Sequence, residues 1–441
     1  MKWNRKNCRL LKGLAILVLL FGVLVVVYVY PPVNRRLSWR VDAAMTALRR
    51  SLNPIGTLPT AVSGTQSAPG LLATPVIWTT PAPTLVPTGN TEKIAREPTR
   101  EAGPTVAPQP TITPTSIPDR FLLPPPEYRL GDAQDWNNCG PAALALSLRF
   151  YGWEGDQYTI SDEIKPIRAD RNVNVDDLTA YVSRNLSWLR AEYRVGGDIE
   201  LLKELIAAGL PVLIEESFVL EEGAQGVMGP SDDRWTGHYL LLTGYDDDLK
   251  TFFVQDTYRG PNQAVTYTDL DANWKAFNRV YVLVFPPEQL EIVQALLGGD
   301  WDPSQNRQNA LKMAREEASQ NAEDAFAWFN VGTNLAYFEQ YSEAARAYDR
   351  AREIGLPQRM LRYQFGPFLA YFHSGRTDEL YTLAEYALEV TPNSEEALLW
   401  QGWALYRTGE KQKALESFRE ALEARPGYGD AEYAINFVTA N

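Results

Sequence analysis

The pattern of apolar and polar positions divides the 441-residue chain into four stretches of different character. Residues 13–30 are uncharged and almost wholly apolar. As a helix rising ~1.5 Å per residue, such a run approaches the ~30 Å of a bilayer core, so a transmembrane helix is expected. From Pro54 to Pro126 the chain holds 16 of its 30 prolines among Thr, Ala, Ser and Gly, with few regularly spaced apolar residues. Residues 53–127 therefore read as a disordered linker with extended polyproline character. Pattern returns at Tyr128. "CGPAALALSLRFYG" predicts a helix with Pro141 in its first turn and Gly152 as its stop, and "VNVDDLTAYVSRNL" and "DIELLKELIAAGL" predict two more. After the apolar run "PVLIEES" and a Gly-rich loop come "HYLLLTGY", the turn "DDDLK", "TFFVQDTY" and "RVYVLVFP", short β-rich runs that predict an antiparallel sheet. Helices first and strands afterward define an α+β domain over 128–287.

Residues 301–441 show no strand signal. Two segments, "AWFNVGTNLAYFEQYSEAARAYDRAREIGLP" and "ALLWQGWALYRTGEKQKALESFREALEARP", align at an offset of 70 residues, which places Gly332 on Gly402, Tyr348 on Phe418 and Ala351 on Ala421. A middle copy puts Leu380, Ala384 and Ala387 at the matching positions, with Pro392 and Pro426 closing second helices. This period resembles the tetratricopeptide repeat, a helix-turn-helix of ~34 residues, and the resemblance implies an all-α solenoid with a protein partner. The middle copy departs from the pattern, with Phe368 where Gly is usual and Pro367 inside its first helix, so that helix is expected to be kinked or short. "GDAEYAINFVT" reads as a capping helix.

Charge and composition then narrow the chemistry. A net charge of -13 excludes a general nucleic-acid binder, which needs basic surface to displace counterions from phosphates. No Walker-type loop or strand-embedded GxGxxG occurs. Two cysteines and two histidines, none at ligand spacing, make no zinc site, so neither metal nor cofactor is expected. Lys2, Arg5, Lys6, Arg9 and Lys12 precede the apolar run, which orients residues 1–12 as a cytoplasmic basic tail. A cleaved signal peptide is the rival reading, but its apolar part is usually shorter and ends at a small-x-small site, whereas this run ends in "YVYPPV". The expected arrangement is a single-pass anchor in the cell membrane at 13–30 and a juxtamembrane segment at 31–52 with a short helix at "RVDAAMTALRR". Both domains then lie outside the cytoplasm, and Cys8 is separated from Cys139 by the membrane.

Cys139 has two readings. An unpaired cysteine is among the most buried residue types and packs as a small hydrophobe. It also starts a helix, where aligned backbone dipoles favour a thiolate nucleophile. His238 is the domain's only histidine and thus its candidate base; Asp256, 18 residues on and brought back by the turn at Asp246, is placed to fix the imidazole tautomer. Gln134, five residues before Cys139, offers an amide to a developing oxyanion alongside the Cys139 N–H. Singly each is more often structural; together, in the order Gln, Cys, His, Asp, they make a papain-type arrangement.

"QDWNNCGPAALALSLRFYG", "LLKELIAAGLPVLIEES", "GHYLLLTGYDDD", "VQDTY" and "YTDLDANWKAFNRVYVLVF" also resemble the bacteriocin-processing peptidase-like family, the thirty-ninth among cysteine peptidases. The resemblance implies a papain-like fold, with Cys139 as nucleophile, His238 as general base, Asp256 orienting it and Gln134 in the oxyanion hole. Processing members of that family are fused to a transporter and an ATPase that this chain does not carry, so cleavage after a double-glycine leader is not implied. The expected function is a membrane-anchored cysteine peptidase acting on a peptide or protein substrate. The rival readings are a non-catalytic peptide-binding scaffold and a papain-like acyltransferase or amidase.

Overall fold

The computed structural model describes Leu19, Gly22 and residues 30–61, 117–165, 168, 173–224, 227 and 233–441. Among these no helix is long and apolar enough to cross a membrane. The expected span at 13–30 lies outside them, apart from Leu19, Gly22 and Tyr30.

Helix α1 (Pro31–Leu52) precedes a domain built on one antiparallel sheet. The strands are β1 (Arg120–Leu122), β2 (Arg190–Arg194), β3 (Val212–Val219), β4 (Trp235–Asp246), β5 (Thr251–Asp256), β6 (Gly260–Thr266) and β7 (Tyr281–Phe285). Their order is β2-β7-β3-β4-β5-β6, with β1 paired to the last residues of β4. Because side chains alternate across a strand, the apolar runs feed two cores. Leu213, Tyr239, Leu241, Val282 and Val284 pack with α2 (Cys139–Phe150), α3 (Gln157–Ile164) and α4 (Val175–Asn185). Val212, Ile214, Leu240, Leu242, Leu283 and Phe285 pack with α5 (Ile199–Ala207), α6 (Tyr267–Trp274) and α7 (Leu290–Leu297). Strands β2 and β6 escape the sequence reading because they are the two edges, where "RAEYR" and "GPNQAVT" meet solvent and lose the apolar signature. The domain also outlasts its expected end at 287, since Val293 and Leu297 complete the second core.

The linker bounds 53–127 need correction at both ends. Ile55 is buried in the core of the C-terminal helices, the Pro59 carbonyl accepts from Arg352 at 2.6 and 3.1 Å, and the Gly56 carbonyl accepts from Tyr386 at 3.2 Å. At the other end β1 joins the sheet, Leu123 is buried, and Tyr245 donates to the Pro118 carbonyl at 2.7 Å. A few apolar residues at each end suffice to dock segments whose average composition reads as linker. Residues 62–116, to which the expectation of disorder then applies, lie outside the described residues.

The C-terminal part is all helix: α8 (Pro303–Gln320), the pairs α9 (Ala325–Tyr337) with α10 (Tyr341–Ile354), α11 (Gly366–His373) with α12 (Thr377–Val390), α13 (Glu395–Arg407) with α14 (Lys411–Ala424), and the closing α15 (Gly429–Ala440). Gly332 and Gly402 are required where helices cross: an added Cβ would sit 2.7 Å from the Tyr348 ring and 2.4 Å from the Phe418 ring. As expected, α11 is short, with Pro367 in its first turn. The array is docked on the middle domain. Asn278 and Asn334 exchange amide hydrogen bonds at 2.9 and 3.1 Å, Asn306 bonds both backbone groups of Val195 at 3.0 and 2.8 Å, and Arg425 pairs with Asp177 at 3.1 Å. Helix α1 touches both bodies, with Arg168 stacked on the buried Trp39 and Arg50 donating to the Val390 carbonyl.

Ile55→Asp should lower the stability of the array by about 2–4 kcal/mol, because it puts a charge into an apolar seat. A reduced urea midpoint is expected, with Leu52→Ala, at 71% exposure, leaving the midpoint unchanged.

Candidate active site

Cys139 is the first residue of α2 and is buried, at 4% exposure. The loop before it is clamped from within the fold. Gln157, at the start of α3 and fully buried, accepts at its Oε1 from the Asp135 N–H (3.0 Å) and the Asn138 side chain (2.8 Å). Its Nε2 donates to the carbonyls of Gly131 and Ala133, both at 2.9 Å. Asp132 and Arg149 form a buried two-pronged ion pair at 2.5 and 2.9 Å that ties the same loop to the far end of α2. Asn137 turns the chain with φ of 58°, in the left-handed region that Asn tolerates. Thus one buried amide and one buried ion pair fix where the helix begins.

His238 arrives on β4, next to Asp256 on β5 across the paired register Leu240 to Asp256. The His238 Nε2 lies 2.8 Å from Asp256 Oδ1, which also accepts from the backbone N–H groups of Tyr258 (2.7 Å) and Arg259 (3.1 Å). With Nε2 committed to the carboxylate, Nδ1 is left for Cys139, with which His238 is hydrogen-bonded. Burial opposes the imidazolium, but the bonds to Asp256 and Cys139 outweigh it and push His238 up to about 10. Burial likewise raises Asp256, and the His238 bond and the two backbone donors outweigh that and hold it below its ordinary value.

Gln134 lines the same cleft. Its Oε1 accepts from the Thr257 hydroxyl at 2.8 Å, and its backbone N–H donates to the Thr257 carbonyl at 2.8 Å. That assignment leaves Nε2 at the other end of the amide. Three of the residues expected from the sequence, Gln134, Cys139 and His238, therefore line one cleft, and the fourth, Asp256, is bonded to His238 behind it. Aromatic rings collar it: Phe218 is edge-on to His238 at 5.1 Å and Tyr258 lies 6.4 Å from the imidazole, with Trp136 on the Cys139 side. Two further walls come from the repeats, Arg359 and Tyr363.

Three features escape the sequence reading. Gln157 and Asp132 carry no local motif, because their work is to bind backbone groups 22 to 26 residues away, a side-chain amide 19 away or an arginine 17 away. Glu216 sits directly opposite His238 on β3. Burial raises Glu216 to about 7, against the opposing pull of His238, and its place in the apolar run "PVLIEES" is the one visible sign.

Residues 125–282 match the model of the Peptidase_C39 like family, and residues 395–428 match that of the tetratricopeptide repeat. The middle region is accordingly C39-like and is joined to a tetratricopeptide array. No curated protein matches the chain. A putative C39-like peptidase from Bacillus anthracis is similar at 19% identity, over 34% of this chain and 88% of its own, with a TM-score of 0.27. The double glycine motif protease of an AMS/PCAT transporter, solved with its leader peptide, is similar at 16% identity over 34% and 85%, with a TM-score of 0.24. YrrB, a repeat protein with an unusual peptide-binding site, is similar at 19% identity over 34% and 81%, with a TM-score of 0.27.

Gln157→Ala should cost about 2–4 kcal/mol, since it strands several buried polar partners at once. A lower thermal midpoint is expected, with cleft reactivity reduced in the surviving folded fraction. His238 is raised above its ordinary 6.5, so its contribution to stability is full below that value and is lost as pH rises toward about 10. Asp256→Asn should shift that loss to lower pH in urea midpoints recorded from pH 6 to ~10.

Proposed function

We propose that this chain is a thiol hydrolase of peptide bonds. The observation that carries the reading is the convergence of Cys139, His238 and Gln134 on one cleft at a helix N-terminus, with Asp256 bonded to His238 behind it. The Cys139 sulfur, as thiolate, attacks the scissile carbonyl carbon, and the oxyanion is held by the Cys139 N–H and Gln134 Nε2. Collapse breaks the C–N bond, and the proton on His238 Nδ1 passes to the departing amine. Water enters, gives its proton to Nδ1, and attacks the thioester; the acid leaves and Cys139 regains its starting state. Asp256 keeps Nδ1 aimed at the sulfur throughout and stabilises the imidazolium.

Interception of the thioester by an amine in place of water would make the same site an acyltransferase, and product analysis with added amine separates the two. The readings extend to location and partners. The uncharged run at 13–30 with basic residues before it supports a single-pass anchor in the cell membrane, N-terminus in the cytoplasm, with the cleft and repeats outside. The repeats supply contacts for a protein partner.

Iodoacetamide should label Cys139 in the full chain, and His238→Ala should slow labelling at pH 7 by at least about tenfold. Gln134→Ala should lower kcat by about 10²–10³ with the alkylation rate little changed, because its role falls on the oxyanion and not on the thiol. A labelling rate untouched by His238→Ala overturns the dyad. In intact cells an impermeant maleimide should fail to reach Cys8; efficient labelling there overturns the topology.

A further inference from the structure

We propose that the tetratricopeptide array supplies one wall of the substrate cleft, and that Tyr363 is a specificity-determining residue selecting an apolar side chain next to the scissile bond. The inference rests on the hydrolase reading above and gives the repeats a role beyond contact with a protein partner.

The contact begins two residues before the imidazole. Tyr363, in the turn between α10 and α11, bonds the Thr236 hydroxyl at 2.9 Å, and its ring lies over Gly237. An added Cβ at Gly237 would sit 2.8 Å from Phe277 and 3.2 Å from the Tyr363 ring, so glycine is what lets the Phe277 ring, with Tyr363 beside it, close over the strand carrying His238. Trp235, the first residue of β4, stacks on Phe277 at 5.9 Å and on Phe326 of α9 at 6.1 Å, and meets the Tyr363 edge at 5.7 Å. One apolar cluster therefore runs from the sheet into the repeats.

The turn itself is clamped. Asp233 accepts backbone hydrogen bonds from Gln358 and Arg359 and lies 3.8 Å from the Arg359 guanidinium, whose side chain is 3% exposed. Arg359 thus faces the cleft with its charge already opposed. With Phe218, Leu220, Trp136 and Tyr258 on the remaining sides, the surface beside Cys139 offers aromatic and aliphatic contact, and the carboxylate in its lining, Asp135, accepts from the Tyr158 hydroxyl at 2.5 Å. A Leu-like side chain gains by burial there, whereas a carboxylate would be desolvated beside the Asp135 carboxylate. The wall is fixed in place, since the Asn278–Asn334 and Asn306–Val195 bonds and the Arg279–Glu317 pair at 2.7 Å hold the array to the domain.

The test uses the full chain and peptidyl chloromethyl ketones that differ only in the side chain beside the electrophile: Gly, Leu or Asp. Each rate is divided by the iodoacetamide rate of the same variant, which removes changes in the thiol itself. The wild type should prefer Leu over Gly and Asp by about tenfold or more; Tyr363→Ala should erase most of that preference, and Tyr363→Phe should keep it. Equal Leu-to-Gly ratios in wild type and Tyr363→Ala overturn the proposal. A reagent bearing a benzophenone side chain gives a second readout on the unmutated protein: after reaction at Cys139 and irradiation, cross-links to the peptide containing Arg359 and Tyr363 are expected. Cross-links confined to residues before 301 overturn it. A wild-type Cys139 inert to iodoacetamide brings down the hydrolase reading and this inference with it, whereas a reactive Cys139 with unchanged ratios brings down this inference alone.

Discussion

The hydrogen bond from His238 to Asp256 is the interaction on which the site depends. It decides which imidazole nitrogen faces the sulfur, and so whether Cys139 has a proton partner at all. Its strength comes from where Asp256 sits, with two backbone N–H groups converging on the same carboxylate oxygen. Those donors compensate a buried charge that would otherwise be neutralised by protonation. The β4–β5 hairpin is what makes the geometry reproducible, because antiparallel pairing sets His238 and Asp256 within reach without help from the loops.

The other half of the site is held by different means. Cys139 depends on an irregular loop, and irregular backbone must find its hydrogen-bond partners one by one. Gln157 provides three of these contacts from a single side chain and a fourth bond to the Asn138 amide, while the Asp132–Arg149 pair closes the loop against its own helix. A strand hairpin and a clamped loop thus meet at one sulfur atom, and each can be weakened separately.

Much of this was legible in the sequence. The Cys139 helix, the His238 and Asp256 strands and the crossing glycines at 332 and 402 announce themselves through short-range pattern, which local spacing records directly. What stayed hidden depends on contacts made at long range. Edge strands β2 and β6 lack an apolar face to advertise them. Gln157, Glu216 and Asp233 are polar residues whose meaning lies in partners that only folding brings near. Separating the chain into independent modules by composition also concealed the docked face of the array, since Asn330 and Asn334 look like ordinary helix polar residues until Lys275 and Asn278 appear opposite them.

The docking of α1 and Pro59 changes how load travels through the molecule. The chain is docked on the repeats at Pro59 and on the sheet at β1, so folded contacts already join the two points that flank residues 62–116. A pull applied at Pro31 is carried by α1, by the Trp39–Arg168 stack and by the seat of Ile55, and reaches the catalytic domain through folded structure.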